Sequence, residues 1–488
     1  MSSTPFKKTA SLSIDRRSLL RGGAALGVSA VFQNFMIRRA HAAGPIVSPY
    51  GAIAPVADHN TGLNLIQLPS GFEYWSFGWT GDPLTGGIIP TPGLHDGMAV
   101  VKQTGTNGRK CSIIRNHEVS GPATPFASGP FQYSSNSGGG TTNLIWDTQK
   151  KTLEKAVPSL SGTFRNCAGG VTPWNSWLSA EETTATTAGG AFKHGYVFDV
   201  KFNQGANNAK PITAMGRFSH EACAVDPNTY YIYQTEDGPS VAGDVASGFY
   251  RFIPAKFGPN GFPLLQKGGT LQMLRVVGEF QKDLRTVGRT DPLTVYPTQW
   301  VDISNPDPDF ATQTSCFMQG YNKGGAYFRR PEGIWYGAGK LYFLCTEGGP
   351  IGEGQVWEYD TVAETLTCIF HSASAVDCEN PDNLVVTPNG AIMLCEDNAG
   401  APVNDAERLL VLNTAGEIFT FAKNNLNFTA SGLGPYVRPE SGLTFSSDGR
   451  QNEWAGACFD NTGEWLFVNI QTPGITFAIT GPWSSGPI

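Results

Sequence analysis

Acidic residues recur in this chain at a fixed interval. Glu332 and Glu347 bracket "EGIWYGAGKLYFLCTE", Glu221 and Glu236 bracket "EACAVDPNTYYIYQTE", and Asp382 and Asp397 bracket "DNLVVTPNGAIMLCED". Cys167 and Glu182 bracket "CAGGVTPWNSWLSAEE", and the separation is 15 residues in each of the four. Inside every bracket lie two short apolar runs joined by Gly, Pro or Asn, the pattern of an antiparallel hairpin. Hairpin geometry puts the residue before the first strand next to the residue after the second. Carboxylates gathered in this way cannot all stay ionised unless cations accompany them. Numerous oxygen ligands suit calcium, and a thiolate beside carboxylates suits a transition metal such as iron.

Two looser copies flank these four, from His95 to Glu118 and from Glu453 to Gln471. Six hairpins are thus expected, with further strand-like runs such as "YVFDV", "QVWEYD" and "RLLVL" between them. The expected fold is all-β, a six-bladed β-propeller whose hairpin ends converge at one mouth of a central channel. That mouth would gather Asn116, Glu118, Cys167, Glu181, Glu182, Glu221, Glu236, Asp237, Glu332, Glu347, Asp382, Asn383, Glu396 and Asp397. A third to a half of them are expected to serve as turn caps instead.

Composition agrees. The 488 residues include 59 Gly and 33 Pro, with 40% hydrophobic and 15% charged residues, which suits many short strands and tight turns. A net charge of -7 and the lack of a long basic run argue against nucleic acid. Nine cysteines form no CxxC pair, so a zinc ribbon is not indicated, and most sit in apolar runs as small buried hydrophobes. Cys167, in "RNCAGGVTP", lies in a polar context instead. At the N-terminus, Arg16 and Arg17 precede a modest apolar stretch and "AHA" ends at Ala42. Residues 1–42 therefore read as a twin-arginine export signal and 43–488 as a single domain, exported to the periplasm or beyond, without a stable membrane anchor.

"RNHE", "NCAGGVTPWNSWLSAEE", "FSHEACAVDP", "RPEG", "NPDN" and "LFVNIQTPGITFAITGPW" together resemble the PhoX-type alkaline phosphatases, from about His95 to Trp483. The resemblance implies a six-bladed propeller bearing ferric iron and calcium that hydrolyses phosphomonoesters. It implies that Cys167 binds iron, that Glu118, Glu181, Glu182, Glu332 and Asp382 are metal carboxylates, and that Asn116 and Asn383 support them. With Glu236, which the hairpin pairing adds, these form the expected ligand set. Arg330 resembles the family's phosphate-binding arginine, and its planar fork matches two phosphate oxygens. Arg330, Glu332 and Cys167 are thus expected to carry the reaction. His117 and His220 are expected to be buried and hydrogen-bonded, and no G-x-S-x-G elbow offers a serine nucleophile. Expected partners are small phosphate esters and, during export, the twin-arginine translocase. Two alternatives stay open: a calcium-dependent lactonase or esterase on a propeller, and a secreted propeller whose ions only staple the ring.

Overall fold

The computed structural model describes residues 45–187, 191–203, 207–238, 240–241, 244–397 and 405–488, all within one unit spanning Ala40–Ile488. The segment 1–42, with Arg16 and Arg17, lies outside the described residues.

The described residues are almost entirely β. Six hairpins open six antiparallel arrays. Their first strands are His95–Thr104, Asn166–Val171, His220–Val225, Pro331–Gly337, Pro381–Val386 and Trp454–Phe459. Each first strand pairs antiparallel with the next in sequence. The first strands also pack against one another in succession, and Trp454–Phe459 returns to His95–Thr104, so they close a ring. Further strands extend each array outward. The third and fourth arrays merge into one sheet through Val295–Asp302, which pairs with Gly269–Val276 on one side and Thr365–His371 on the other. This is the radial organisation of a β-propeller.

The ring closes through a strand from the far end of the sequence. Glu73–Phe77 pairs with Ile475–Thr480 as the outermost strand of the sixth array. Ile66–Pro69 and Ile53–Val56 likewise extend the fifth array, beside Ile418–Asn424.

Strands such as Lys340–Cys345 ("KLYFLC") show no polar alternation, because both faces are covered: Leu341 through Cys345 are all buried. Aromatic rings fill the space between neighbouring arrays. Phe249 stacks on Phe343 with centroids 4.5 Å apart, and Phe328 meets the edge of Phe343 at 5.4 Å. At the centre the backbones approach too closely for side chains. A Cβ on Gly97 would lie 2.5 Å from the Ala168 Cα, and one on Gly333 would lie 2.9 Å from the Asn383 Cα. One short helix, Cys316–Tyr321, is capped by Ser315, whose Oγ accepts from the Met318 N–H. All nine cysteines are free and buried. Among the described residues, no helix is long and apolar enough to cross a membrane.

Candidate metal centre

The same local device recurs at the start of the first strands. His95 pairs with His117, Asn166 with Glu181, His220 with Glu236, Pro331 with Cys345 and Pro381 with Glu396; immediately afterwards the register shifts. The first residue of each bulge is Asp96, Cys167, Glu221, Glu332 or Asp382. A bulge removes a residue from the ladder and re-aims its side chain, here toward the ring's interior. The sixth hairpin departs from the rule. There Trp454 and Ala455 both stay paired, with Ile470 and Asn469, and Ala455 brings no ligand.

Two residues before four of these bulges the backbone is left-handed: Leu94 has φ 50°, Arg165 φ 55°, Arg330 φ 47° and Asn380 φ 45°. Such values strain non-glycine residues and persist only where the surroundings over-determine them. The carbonyls of these residues accept from the chain leaving the second strand, at the N–H of Glu118, Glu182, Thr346 and Asp397. Asp237 bonds to Ser219 in the same way. The hairpin end therefore sets Glu118, Glu182, Asp237 and Asp397 beside the bulge residues.

Side chains alternate along a strand, so the residue before each of these acids faces away. Glu181 accepts from His194 Nδ1 at 2.6 Å and from the Phe164 and Gly195 N–H groups at 2.9 Å. Glu236 accepts from the Tyr250 hydroxyl at 2.6 Å and the Gly248 N–H at 3.0 Å. Glu396 is held by Arg408, with its Nη2 at 2.6 Å. Glu181 and Glu236 are thus structural acceptors outside the cluster. Asn116 is also fully engaged. Its Nδ2 donates to the Cys167 and Ala168 carbonyls (3.0 and 2.7 Å), and its Oδ1 accepts from Trp177 Nε1 and Ser179 Oγ (3.0 and 2.9 Å). It pins the Cys167 strand in place and leaves no lone pair for a cation. Asn383 rejoins the ladder opposite Cys395.

The expected 15-residue spacing marks true partners for Cys167 and Glu182 and for Asp382 and Asp397. In the other two hairpins it is off by one. Glu221 stands with Asp237, and the residue equivalent to Asp237 after the Glu332 hairpin is Thr346 rather than Glu347. Glu347 sits one residue further out, 3.1 Å from Arg329 Nε.

Ligand atoms of Cys167, Glu182 and Glu221 lie within 4.8 Å of one another, as do those of Glu221, Asp237 and Glu332. The two groups share Glu221. Cys167 Sγ is 3.0 Å from Glu221 Oε2. Glu332 is 1% exposed; no hydrogen bond reaches its carboxylate, Oε1 has only the ion pair to Arg330 Nη2 at 2.9 Å, and Oε2 is unpartnered. One guanidinium does not offset a buried carboxylate with an unpartnered oxygen and further acids around it, so the arrangement is costly unless more cations join it. The titration of the group carries the same message. Burial, then Asp237 and Asp382, push Glu332 well above the carboxylate range, with Arg330 opposing. Burial, then Glu182 and Glu332, do so for Glu221, and burial, then Glu118 and Asp382, for Asp96. Burial and Asp397 raise Asp382 to about 7. The Cys167 thiol is also pushed up, by burial and then by Asp96 and Glu221. Sulfur and hard oxygen donors converge here, and the residues fit cations of both kinds.

Two guanidiniums edge the cluster from the strained positions. Arg330 places Nη2 2.9 Å from Glu332 Oε1, Nε 3.1 Å from Asp237 Oδ2 and Nη1 3.5 Å from Glu347 Oε1, and its side chain stays 20% exposed. Arg165 spans Glu118 at 2.9 Å and Glu182 at 2.6 Å. His117 and His220 are buried on backbone and hydroxyl partners, as expected. His117 bonds the Gly93 carbonyl and Thr142 Oγ1, and His220 the Gly216 carbonyl.

Sequence reasoning left Asp96, Glu221, Asp237 and Arg165 out of the ligand and substrate set. Asp96 was findable, because "HDG" repeats the acid-glycine step of "PEG". Arg165 was findable as well, since it precedes Cys167 by the interval that separates Arg330 from Glu332.

No curated protein sequence matches the chain. The solved structure of Pseudomonas fluorescens PhoX in complex with vanadate, a transition state analogue, matches at 15% identity and a TM-score of 0.57. The match covers 91% of this chain and 98% of that one, and it shows a shared fold. A gluconolactonase, XC5397 from Xanthomonas campestris, gives a TM-score of only 0.37 at 10% identity, covering 86% of this chain and 89% of that one. The family described as Alkaline phosphatase PhoX matches residues 48–474. That span takes in every bulge, every exit acid and both guanidiniums, and the chain belongs to the PhoX alkaline phosphatase family.

Proposed function

We propose that the chain is an exported, metal-dependent phosphomonoesterase on a six-bladed propeller, releasing inorganic phosphate from organic esters at the bulge-lined cluster. The observation that carries this reading is the buried convergence of Cys167, Glu182, Glu221, Asp237 and Glu332, where the Glu332 carboxylate has no hydrogen bond and is met only by Arg330 at the open edge.

Calcium would be held by the carboxylates and iron by Cys167 with Glu182 and Glu221. Cations there would neutralise the phosphoryl oxygens and make water a better attacking group. The chain's own residues then have defined tasks. Arg330 has five N–H donors in one plane and a partly open edge, so it can take two phosphoryl oxygens as charge develops on them. Glu332 and Asp237 hold its guanidinium in position. Arg165 fixes the Glu118 and Glu182 carboxylates on the opposite side. The Pseudomonas fluorescens protein binds vanadate, a transition state analogue, which supports a phosphate-ester substrate here.

Steady-state hydrolysis of an aryl phosphate, with elemental analysis of the same preparation, tests the reading. Phosphate release that is abolished by chelation and restored by calcium and iron is expected. Turnover of a lactone without turnover of any phosphomonoester would overturn it. For export, Arg16→Lys with Arg17→Lys is expected to leave the protein in the cytoplasm, because the arginine pair is what the translocation receptor reads. Normal secretion of the double variant, measured by cell fractionation, would rule that route out.

A further inference from the structure

A cavity of about 540 Å³ is lined among others by Ala123, Thr124, Ser137, Phe164, Ala185 and His194. Its walls continue the three segments that carry Glu118, Arg165 and Glu182. Phe164 immediately precedes Arg165, Ala123 follows Glu118 by five residues, and Ala185 follows Glu182 by three. The Arg165 N–H donates to the Val119 carbonyl at 3.1 Å, tying the first wall to the second.

This cavity is built rather than incidental. Arg217 is buried behind the third wall, and its Nη2 donates to the carbonyls of Thr184 (2.8 Å) and Ala185 (3.3 Å) and to Thr186 Oγ1 (3.1 Å). His194 is clamped between the rings of Tyr133 and Phe164, at 5.5 and 5.6 Å, and its Nε2 lies 3.2 Å from Ser137 Oγ.

Among the described residues, no Asp, Glu, Lys or Arg lines the cavity. A second phosphate or a carboxylate entering it would lose hydration with no charge to replace it. An uncharged alcohol would meet hydroxyls at Thr124 and Ser137 and an aromatic surface at Phe164. The volume suits a moiety of sugar size.

We propose that this cavity seats the alcohol portion of the ester, and that the preferred substrates are monophosphates of neutral, polyhydroxylated alcohols. The inference rests on the phosphatase reading above. The alcohol lies between the first and second hairpins while the phosphoryl group lies over the cluster, and Arg165 marks the boundary between them. A second cavity, of about 460 Å³ and lined by Arg329, Glu347 and Ile351, flanks the cluster on the Arg330 side and carries charge. It suits a neutral alcohol less well.

The test is the ratio of kcat/KM for glucose 6-phosphate to that for methyl phosphate. A ratio taken within one preparation is independent of how much of the protein is folded or metal-loaded. The wild type is expected to favour the sugar ester by about tenfold or more, and to prefer it to fructose 1,6-bisphosphate. Ala185→Phe and Ala123→Phe fill the cavity from opposite walls, and each is expected to bring the ratio to within about threefold of one, chiefly through KM. A wild-type ratio near one, or a ratio preserved in both variants, overturns the assignment. Collapse of the ratio in Ile351→Phe, with the other two variants unchanged, moves the alcohol to the second cavity and overturns it as well. Failure of the phosphatase reading gives a different result, no phosphate release from any ester by metal-replete wild type.

Discussion

Arg330 and Cys167 separate binding of the phosphoryl group from binding of cations. Arg330→Lys keeps the charge but loses the planar pair of donors. Its kcat/KM on an aryl phosphate is expected to fall by roughly ten- to a thousandfold, with bound metal unchanged. Glu332→Gln removes a buried carboxylate from the cluster and is expected to lose metal and activity together. Kinetics with elemental analysis of both variants checks this, and unchanged turnover in Arg330→Lys would exclude the paired-donor role. Cys167→Ser is expected to lower iron content while calcium and the fold survive, since a hydroxyl is a poor soft donor. Equal iron in variant and wild type would make Cys167 a packing residue.

At the scale of the hairpin, what matters is the one-residue phase of the bulge. Gly97 lets the first inner strand approach the second, with the Ala168 Cα 2.5 Å from where a Cβ would stand. Gly97→Ala is expected to destabilise by about 1–3 kcal/mol, as overpacking does, and to displace the neighbouring Asp96 and Cys167. Thermal unfolding and metal content would register both effects; a variant matching wild type in each would show the contact to be relaxed. The same phase explains what the sequence could and could not convey. Hairpins, their number and their shared end were legible, because apolar runs and turn residues mark strands directly. The facing of each acid was not. "AEE", "TED" and "CED" each offer two or more adjacent acids, and only a bulge decides which of them turns inward. Glu182, Asp237 and Asp397 do so, while Glu181, Glu236 and Glu396 turn to His194, Tyr250 and Arg408. Asn116 misleads for a similar reason: its type suits a ligand, but the four bonds that consume it come from residues over 50 positions away.

The whole molecule concentrates like charge at one mouth, and its stability should depend on pH accordingly. Asp382 titrates at about 7 in the folded chain, against roughly 4 for an ordinary carboxyl. Between those values the folded chain holds a proton that the unfolded chain has released. The Asp382 contribution to the stability of the metal-free protein is therefore fully present below about pH 4 and is lost as pH rises toward 7. Glu332, Glu221 and Asp96, also raised, carry the same sign. Melting temperature in chelator is expected to fall across this window, and calcium is expected to remove most of the fall. A flat profile in chelator would mean the acids are not confronting one another.

The closing strand sets an order of events for a chain made from one end. Glu73–Phe77 is synthesised early but pairs with Ile475–Thr480, so it waits on the ribosome for about 400 residues. Until then the arc bearing Asp96 and the arc bearing Asp382 have no fixed separation, whereas the Cys167, Glu182 and Glu221 group and the Glu221, Asp237 and Glu332 group come from consecutive hairpins and do not await that strand. Completion of the mouth thus belongs after translation, when the last strand finds the first, and it adds the Asp96 and Asp382 arcs to ligand groups assembled earlier.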